Sequence, residues 1–524
     1  MSYPPSLSRR HLLQGFAAVA ASSVLSGCGA ARFTTLNPSS SKLSTPRPSP
    51  TLPSPFSPAT ETPPSAGPTP QPLPIGAITA ASLTVSGTTA GTLGPGFLGL
   101  AYQKQTLSTP LFTGSNADLI GLFKRLGSGV LRLGGTSVDQ TVWTPQGKGQ
   151  TLGQIAPSDI ASLASFLRAT GWTCIYGINL GGSATGATTP ALAAAEVAYV
   201  SQQLGSSLIG VELGNECETY GDPSSYFPYA WTVQQFEALW LQYRDAIIAA
   251  TPSAPLAGPA AASSIYSWTL PFGEYVTHSQ INLLTQHYNR NPATTATPDD
   301  LVSPDPALAT LLQQLTCGAQ SIDVPFRLTG CTSSAGAGTP GVTNAYASSL
   351  WAIDTIFTAA LGGASGLNFN AGGNEDDTPI SDTLGTVTAA QPIYYGLLMA
   401  ALAGQGSLLS TQLSAASLNV TSYAVSNSEG GLSLIVVNKD ATQNLDLSIA
   451  LPAAMTSATL QTMTQLSAGA STPSLTALSG VTIQGAPVDL DGTFTPSTAY
   501  DLTVTGEQLS CYVPTLSAVL IQLS

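Results

Sequence analysis

Glu216 is the residue in this sequence best placed for acid–base chemistry. It closes an apolar run within residues 207–221, SLIGVELGNECETYG, where Leu208, Ile209, Val211 and Leu213 give way to Gly214-Asn215-Glu216 and a polar loop. A short apolar run bounded by Gly and polar residues has the pattern of a buried parallel strand. A carboxylic acid in the apolar mouth of such a strand is desolvated, which raises its pKa toward that of a general acid. An isolated Asn-Glu pair fits a surface loop equally well, so the surrounding elements must decide. Glu212 and Glu218 flank the pair at offsets that match no other landmark, and they read as structural or exposed. A second acidic run, Glu375-Asp376-Asp377, follows GLNFN at 366–370 and is either a water-activating base or a solvated loop. His287 and Tyr288 end INLLTQHY at 281–288.

Metal and triad chemistry are poorly supplied. The histidines are His11, His278 and His287, too few for a His-based metal site or a Ser-His-Asp triad. Beyond Cys28 there are Cys174, Cys217, Cys317, Cys331 and Cys511, with no C-x-x-C spacing to suggest metal. That odd number leaves at least one free thiol. Cys217 and Cys331 each follow a key position, as a disulfide across the mouth or as two buried thiols. No cofactor is expected.

The elements that must hold these residues alternate. FLGLAY (97–102), GVLRLGG (129–135), WTCIYGINL (172–180), LIGVELGNE (208–216), PLAGPA (255–260), INLLTQHY (281–288), FRLTG (326–330) and GLNFN (366–370) have strand character, and each precedes a helical pattern. Eight such repeats in series predict a (β/α)₈ barrel over residues 97–405, with the chemistry at the carboxyl ends of its strands. A doubly wound sheet is the alternative, but no G-x-G-x-x-G follows the first strand. From 406 to 524 the period changes to short β-branched runs separated by Gly, Asn and Asp turns, the signature of an all-β sandwich. Residues 77–96 have the same character and are expected to join that β domain.

The N-terminus reads as an address. Ser8-Arg9-Arg10-His11-Leu12-Leu13 is a twin-arginine pattern, an apolar stretch follows, and Leu25-Ser26-Gly27-Cys28 has the form of a bacterial lipobox. Residues 1–28 are then an export signal ending at Cys28 as the acylated residue. Residues 29–76 are a linker dense in Pro, Ser and Thr that cannot bury a core. The expectation is an exported protein that meets a membrane only through its lipid anchor. With a formal net charge of -13 the chain has no basic surface for phosphates, which argues against nucleic acid.

Taken in order, VLRLGGTSVDQTVW (130–143), VELGNE (211–216), QHY (286–288), FRLTG (326–330), the long run at 341–370 and VPTLSAVLIQL (513–523) resemble glycoside hydrolase family 79, the β-glucuronidase and heparanase-like group. The resemblance covers the chain from about residue 78 to its end. It implies a (β/α)₈ barrel with a C-terminal β-sandwich, and a retaining glycosidase site with one Glu after strand four and one after strand seven. A retaining pair stands roughly 5–5.5 Å apart. The resemblance makes Glu216 the acid/base and Asn215 its sugar-contacting neighbour. It implies an oligo- or polysaccharide as partner and puts Asp377 near the sugar, while Asp139, His287 and Tyr288 are candidates from their strand-end positions, with a satisfied core residue as the alternative for His287. For Arg132 and Asp139 a structural hydrogen-bonding role is an equal reading. Tyr288 either fills the nucleophile's place or floors the site.

The chain departs from that pattern in two places. Where the family resembles R-[IL]-T-E-x-N-S, this sequence has Arg327-Leu328-Thr329-Gly330-Cys331-Thr332-Ser333, so Gly330 stands at the nucleophile position. Where glucuronidases of the family have tyrosines near the uronate, Ala335-Gly336 and Asp377-Thr378 occur. An Asp there would repel a carboxylate, which points to a neutral or amino sugar. Two classes of function follow. One is a glycosidase with altered machinery, and the other is a carbohydrate-binding or cell-surface protein on a hydrolase fold.

Overall fold

The computed structural model describes residues 69–229, 231–262, 265–276, 280–291 and 296–524. The twin-arginine pattern, Cys28, most of the Pro-rich stretch and His278 lie outside the described residues. Among the described residues no helix is long and apolar enough to cross a membrane.

Eight parallel strands close a barrel in sequence order: Leu98–Gln103, Val130–Gly134, Thr173–Ile178, Leu208–Leu213, Leu256–Ala261, Leu283–Asn289, Phe326–Thr332 and Leu367–Asn370. They are called strands one to eight below; strand eight pairs with strand one and completes the ring. Their residues are buried almost without interruption, because helices cover the outside and side chains fill the inside. The helices begin where local chemistry directs. Asn116, Thr189, Thr232 and Asp305 each cap a helix by accepting from a backbone N–H three residues on. Pro157, Pro190, Pro306 and Pro392 sit in first turns, where no N–H is needed. The barrel predicted from the eightfold alternation is therefore the fold observed.

The all-β tail forms one mostly antiparallel sheet of eleven strands. The segment ahead of the barrel, Ala77–Leu93, is its longest member. It pairs antiparallel with Gly406–Ser414 and parallel with Gln443–Ala450. The sheet curls on itself, so that Gln508–Val513 meets Leu432–Asn438 and Ser517–Leu523 from across the fold. The two layers of the expected sandwich thus belong to one continuous sheet. Period-two alternation divides its residues: Leu432, Leu434 and Val436 enter the core of the curled sheet, while Ile435 and Val437 pack toward the barrel. The helix Tyr346–Leu361 lies at that seam, with Tyr346 Oη donating to Leu516 O at 2.9 Å.

Candidate active site

The carboxyl ends of the barrel strands surround a cleft of about 410 Å³. Arg132, Asn215, Glu216, His287, Gly330 and Glu375 are among its walls. Two other cavities are larger, one of about 500 Å³ between Tyr266 and Ser321 and one of about 580 Å³ lined by Asp354 and Lys439. Neither is ringed by the carboxyl ends of several barrel strands, so the cleft is the site at which chemistry can be argued.

Glu216 reaches the cleft through a constrained turn. Gly214 has φ of +82°, and a Cβ there would fall 2.4 Å from Cys217 Sγ and 2.6 Å from Tyr220 Oη. Glu216 itself has left-handed backbone angles, φ 49° and ψ 48°, and its N–H donates to Ala260 O at 3.0 Å. A non-glycine residue in that region is strained, and the surrounding contacts must hold it there. Its Oε1 meets Nδ1 of His287 at 2.8 Å. Burial pushes the Glu216 pKa up, but the His287 hydrogen bond and the charges of His287 and Arg132 outweigh it. The net direction is below the ordinary carboxylate range. This corrects the expectation of a raised pKa, because the mouth is not apolar.

Beneath Glu216 lies a buried polar network. Arg132 Nε pairs with Glu212 Oε2 at 2.7 Å, and a second guanidinium nitrogen donates to Asn215 Oδ1 at 2.9 Å. Asn215 Oδ1 also accepts from the N–H of Gly135 at 3.1 Å. Thr329 Oγ1 donates to Glu212 Oε1 at 2.9 Å. Glu212 is fully buried and structural. Its burial favours the neutral acid, but the charges of Arg132 and His287 prevail and lower its pKa. Arg132 is thus committed to neighbours from strand four and holds Asn215 in place beside Glu216.

The imidazole of His287 lies against Gly330. A Cβ at 330 would stand 3.0 Å from Cδ2 and Cγ of His287 and 3.3 Å from Nδ1. The ring is 4% exposed, and its Nε2 is buried without a hydrogen-bond partner among the described residues. A Glu–His contact therefore occupies the site where the resemblance implied two facing carboxylates.

Several predicted residues lie elsewhere. Asp139 is buried, and both its oxygens are engaged: Oδ1 accepts from the N–H groups of Leu180 and Gly181, and Oδ2 from Tyr220 Oη at 2.5 Å. It clamps three loops and does not line the cleft, so its structural reading is the one observed. Tyr288 also turns away; its hydroxyl donates to Asp305, and burial followed by that carboxylate pushes its pKa up. It neither floors the cleft nor fills the nucleophile's place. Asp377 sits behind the wall, 2% exposed, accepting from Thr332 Oγ1 at 2.7 Å. Burial raises its pKa to about 6. Asp376 accepts from Asn344 Nδ2 at 2.7 Å. Of the acidic run, Glu375 alone lines the cleft, its pKa raised by burial and by Asp377. Cys217 and Cys331 are buried free thiols.

Gln103, Asn289 and Asn370 line the cleft and were not anticipated. Each is the last residue of its barrel strand, following Tyr102, Tyr288 and Phe369. An amide directly after a buried aromatic at a strand's carboxyl end is the signal that would have found them.

No protein-family description matches the chain, and no curated sequence matches it. Solved structures do. A 4-O-α-L-rhamnosyl-β-D-glucuronidase from Fusarium oxysporum 12S superposes with a TM-score of 0.69 at 16% identity, over 84% of this chain and 100% of that one. A GH51 arabinofuranosidase from Xanthomonas axonopodis pv. citri gives 0.63 at 14%, over 85% and 100%. A GH family 44 xyloglucanase from Paenibacillus polymyxa gives 0.59 at 11%, over 85% and 99%. The chain has the fold of these glycoside hydrolases.

Proposed function

We propose that this chain is a carbohydrate-active protein, similar to glycoside hydrolase family 79, directed at β-linked glycans, with Glu216 as its acid/base carboxylate. One observation carries the reading: a cleft at the carboxyl face of a (β/α)₈ barrel has Glu216 beyond strand four and Gly330 on strand seven. The overlap with a rhamnosyl-glucuronidase supports it. The sugar is neutral or amino, since Arg132 is taken up by Glu212 and Asn215 while Glu375 on the cleft wall is acidic.

The Glu216–His287 contact favours a second reading, glycan binding without turnover. Strand seven carries no carboxylate to form a glycosyl-enzyme, and Glu216 is held as an anion and not as an acid. A β-linked glycan array followed by product analysis separates the two. Turnover lost in Glu216→Gln supports hydrolysis, and binding without product supports the second reading. Efficient cleavage of an aryl β-glucuronide contradicts the neutral-sugar assignment, and failure to bind any glycan contradicts both. We further propose that the protein is exported and tethered through Cys28, on the strength of the lipobox in its sequence.

A further inference from the structure

Strands four and five run parallel, and their pairing continues past both strands into the turn that carries Glu216. Val211 pairs with Leu256 and Glu212 with Ala257, and the N–H of Val211 donates to Pro255 O at 2.8 Å. Further along, in the same register, the N–H of Glu216 donates to Ala260 O at 3.0 Å. The slanted bonds of a parallel ladder come in turn from each strand, so the next donor is the N–H of Ala262 and its regular acceptor is Glu216 O. Here the acceptor is different. Glu216 and Ala260 both have left-handed backbones, with φ of +49° and +56°. The Glu216 carbonyl is turned out of the ladder and accepts from the N–H and Oγ1 of Thr219, at 2.9 and 2.8 Å. The N–H of Ala262 donates to Glu218 Oε1 at 2.5 Å. A side-chain carboxyl thus stands in the ladder place of a backbone carbonyl.

This replacement matters to Glu216. Its left-handed backbone is strained, and a partly buried N–H at Ala262 needs an acceptor. Without Glu218, the acceptor within reach is Glu216 O, and turning that peptide back into the ladder restores extended backbone at 216. Side chains of extended residues alternate in direction, so the same rotation takes the Glu216 carboxyl away from Nδ1 of His287. Charge on Glu218 is not what does the holding. Burial pushes the Glu218 pKa up, against the Ala262 bond and the charge of His287. At Glu216 burial is outweighed by the His287 bond and by the charges of His287 and Arg132. Glu218 is therefore neutral while Glu216 titrates, and a neutral acid still offers Ala262 a carbonyl oxygen.

We infer that Glu218 is a positioning residue, whose carboxyl takes the ladder place of Glu216 O and so holds the Glu216 side chain against His287 at the cleft. The inference rests on the reading of Glu216 as the acid/base carboxylate, but its test needs no glycan. The full chain is labelled with carbon-13 at the glutamate carboxyls and titrated by NMR, the Glu216 signal being the one absent in Glu216→Gln. Glu218→Ala should raise the Glu216 midpoint by about 1–3 pH units, the change that follows loss of a bonded, charged partner. Glu218→Gln should keep the parent midpoint, since the amide oxygen still accepts from Ala262. Glu218→Asp, one methylene shorter, withdraws its oxygen and should shift the midpoint as Ala does, which serves where the Ala variant does not fold. A merely stabilising role would lower the melting temperature without moving the midpoint. Parent midpoints in the Ala and Asp variants, or a Gln variant that shifts as far as they do, overturn the positioning role and leave the glycan-directed reading standing. Failure of the parent to bind any glycan overturns that reading, while the midpoints still decide the role of Glu218.

Discussion

A carboxylate introduced at position 330 is expected to be tolerated only when the His287 imidazole is removed with it. A Cβ on Gly330 would stand 3.0 Å from two ring carbons of His287, whereas packed carbons settle at about 3.5–4.0 Å. The ring cannot retreat freely, because it is buried and its Nδ1 is bonded to Glu216 at 2.8 Å. Overpacking of this kind costs about 1–3 kcal/mol. A carboxylate at the roughly 5.5 Å spacing of a retaining pair would also repel Glu216 by about 3 kcal/mol at an effective dielectric of about 20. Protonating one of the two relieves part of that. Gly330→Glu should therefore lower the unfolding free energy by about 2–5 kcal/mol. His287→Ala alone should lower it by about 1–3 kcal/mol, by leaving Glu216 without its partner. The double variant should be more stable than the summed losses by about 0.5–3 kcal/mol, the coupling found for residues in contact. Urea unfolding of the four proteins measures this. In the double variant, loss of the imidazole and gain of a carboxylate both raise the Glu216 pKa, so any restored turnover of aryl β-glycosides belongs there first. A Gly330→Glu protein as stable as its parent, or strictly additive losses, refutes the argument that the ring fills the space beside Gly330.

Glu212→Gln leaves Arg132 buried beside a neutral partner and should cost about 3–5 kcal/mol in urea unfolding. Asp377 has a folded pKa near 6 against an ordinary 3.8, so the folded state binds more protons between those values. Stability should then fall by up to about 3 kcal/mol as pH rises through that window, and Asp377→Asn should flatten the fall, as melting curves from pH 4 to 7 would reveal. On the proposal that Leu25–Cys28 is a lipobox, the mature protein should partition into detergent and Cys28→Ala should abolish this; equal solubility of the two after export contradicts it.

The barrel was legible because its signal is local and repeated. Each strand run, from residues 97–102 to 366–370, carries its own periodicity and its own following helix, and eight in series admit few other folds. The turn in period near residue 406 announced the β domain for the same reason. Glu216 could be singled out because a polar residue at the carboxyl end of a barrel strand is a positional fact about the chain.

Its chemistry was not legible. The expected rise in its pKa assumed an apolar mouth, but His287 is 71 positions away in sequence and Arg132 lies on another strand. Pairing across a barrel leaves no trace in local pattern. Asp139, Tyr288 and Asp377 fail as cleft residues for a related reason: their direction is set by Leu180, Gly181, Tyr220, Asp305 and Thr332, which closure of the barrel brings to them. The sequence by itself determined the layered fold, the strand-end address of Glu216 and the glycine at 330. Only the tertiary structure decided what stands in that space, because an imidazole can occupy it only once strands six and seven lie side by side.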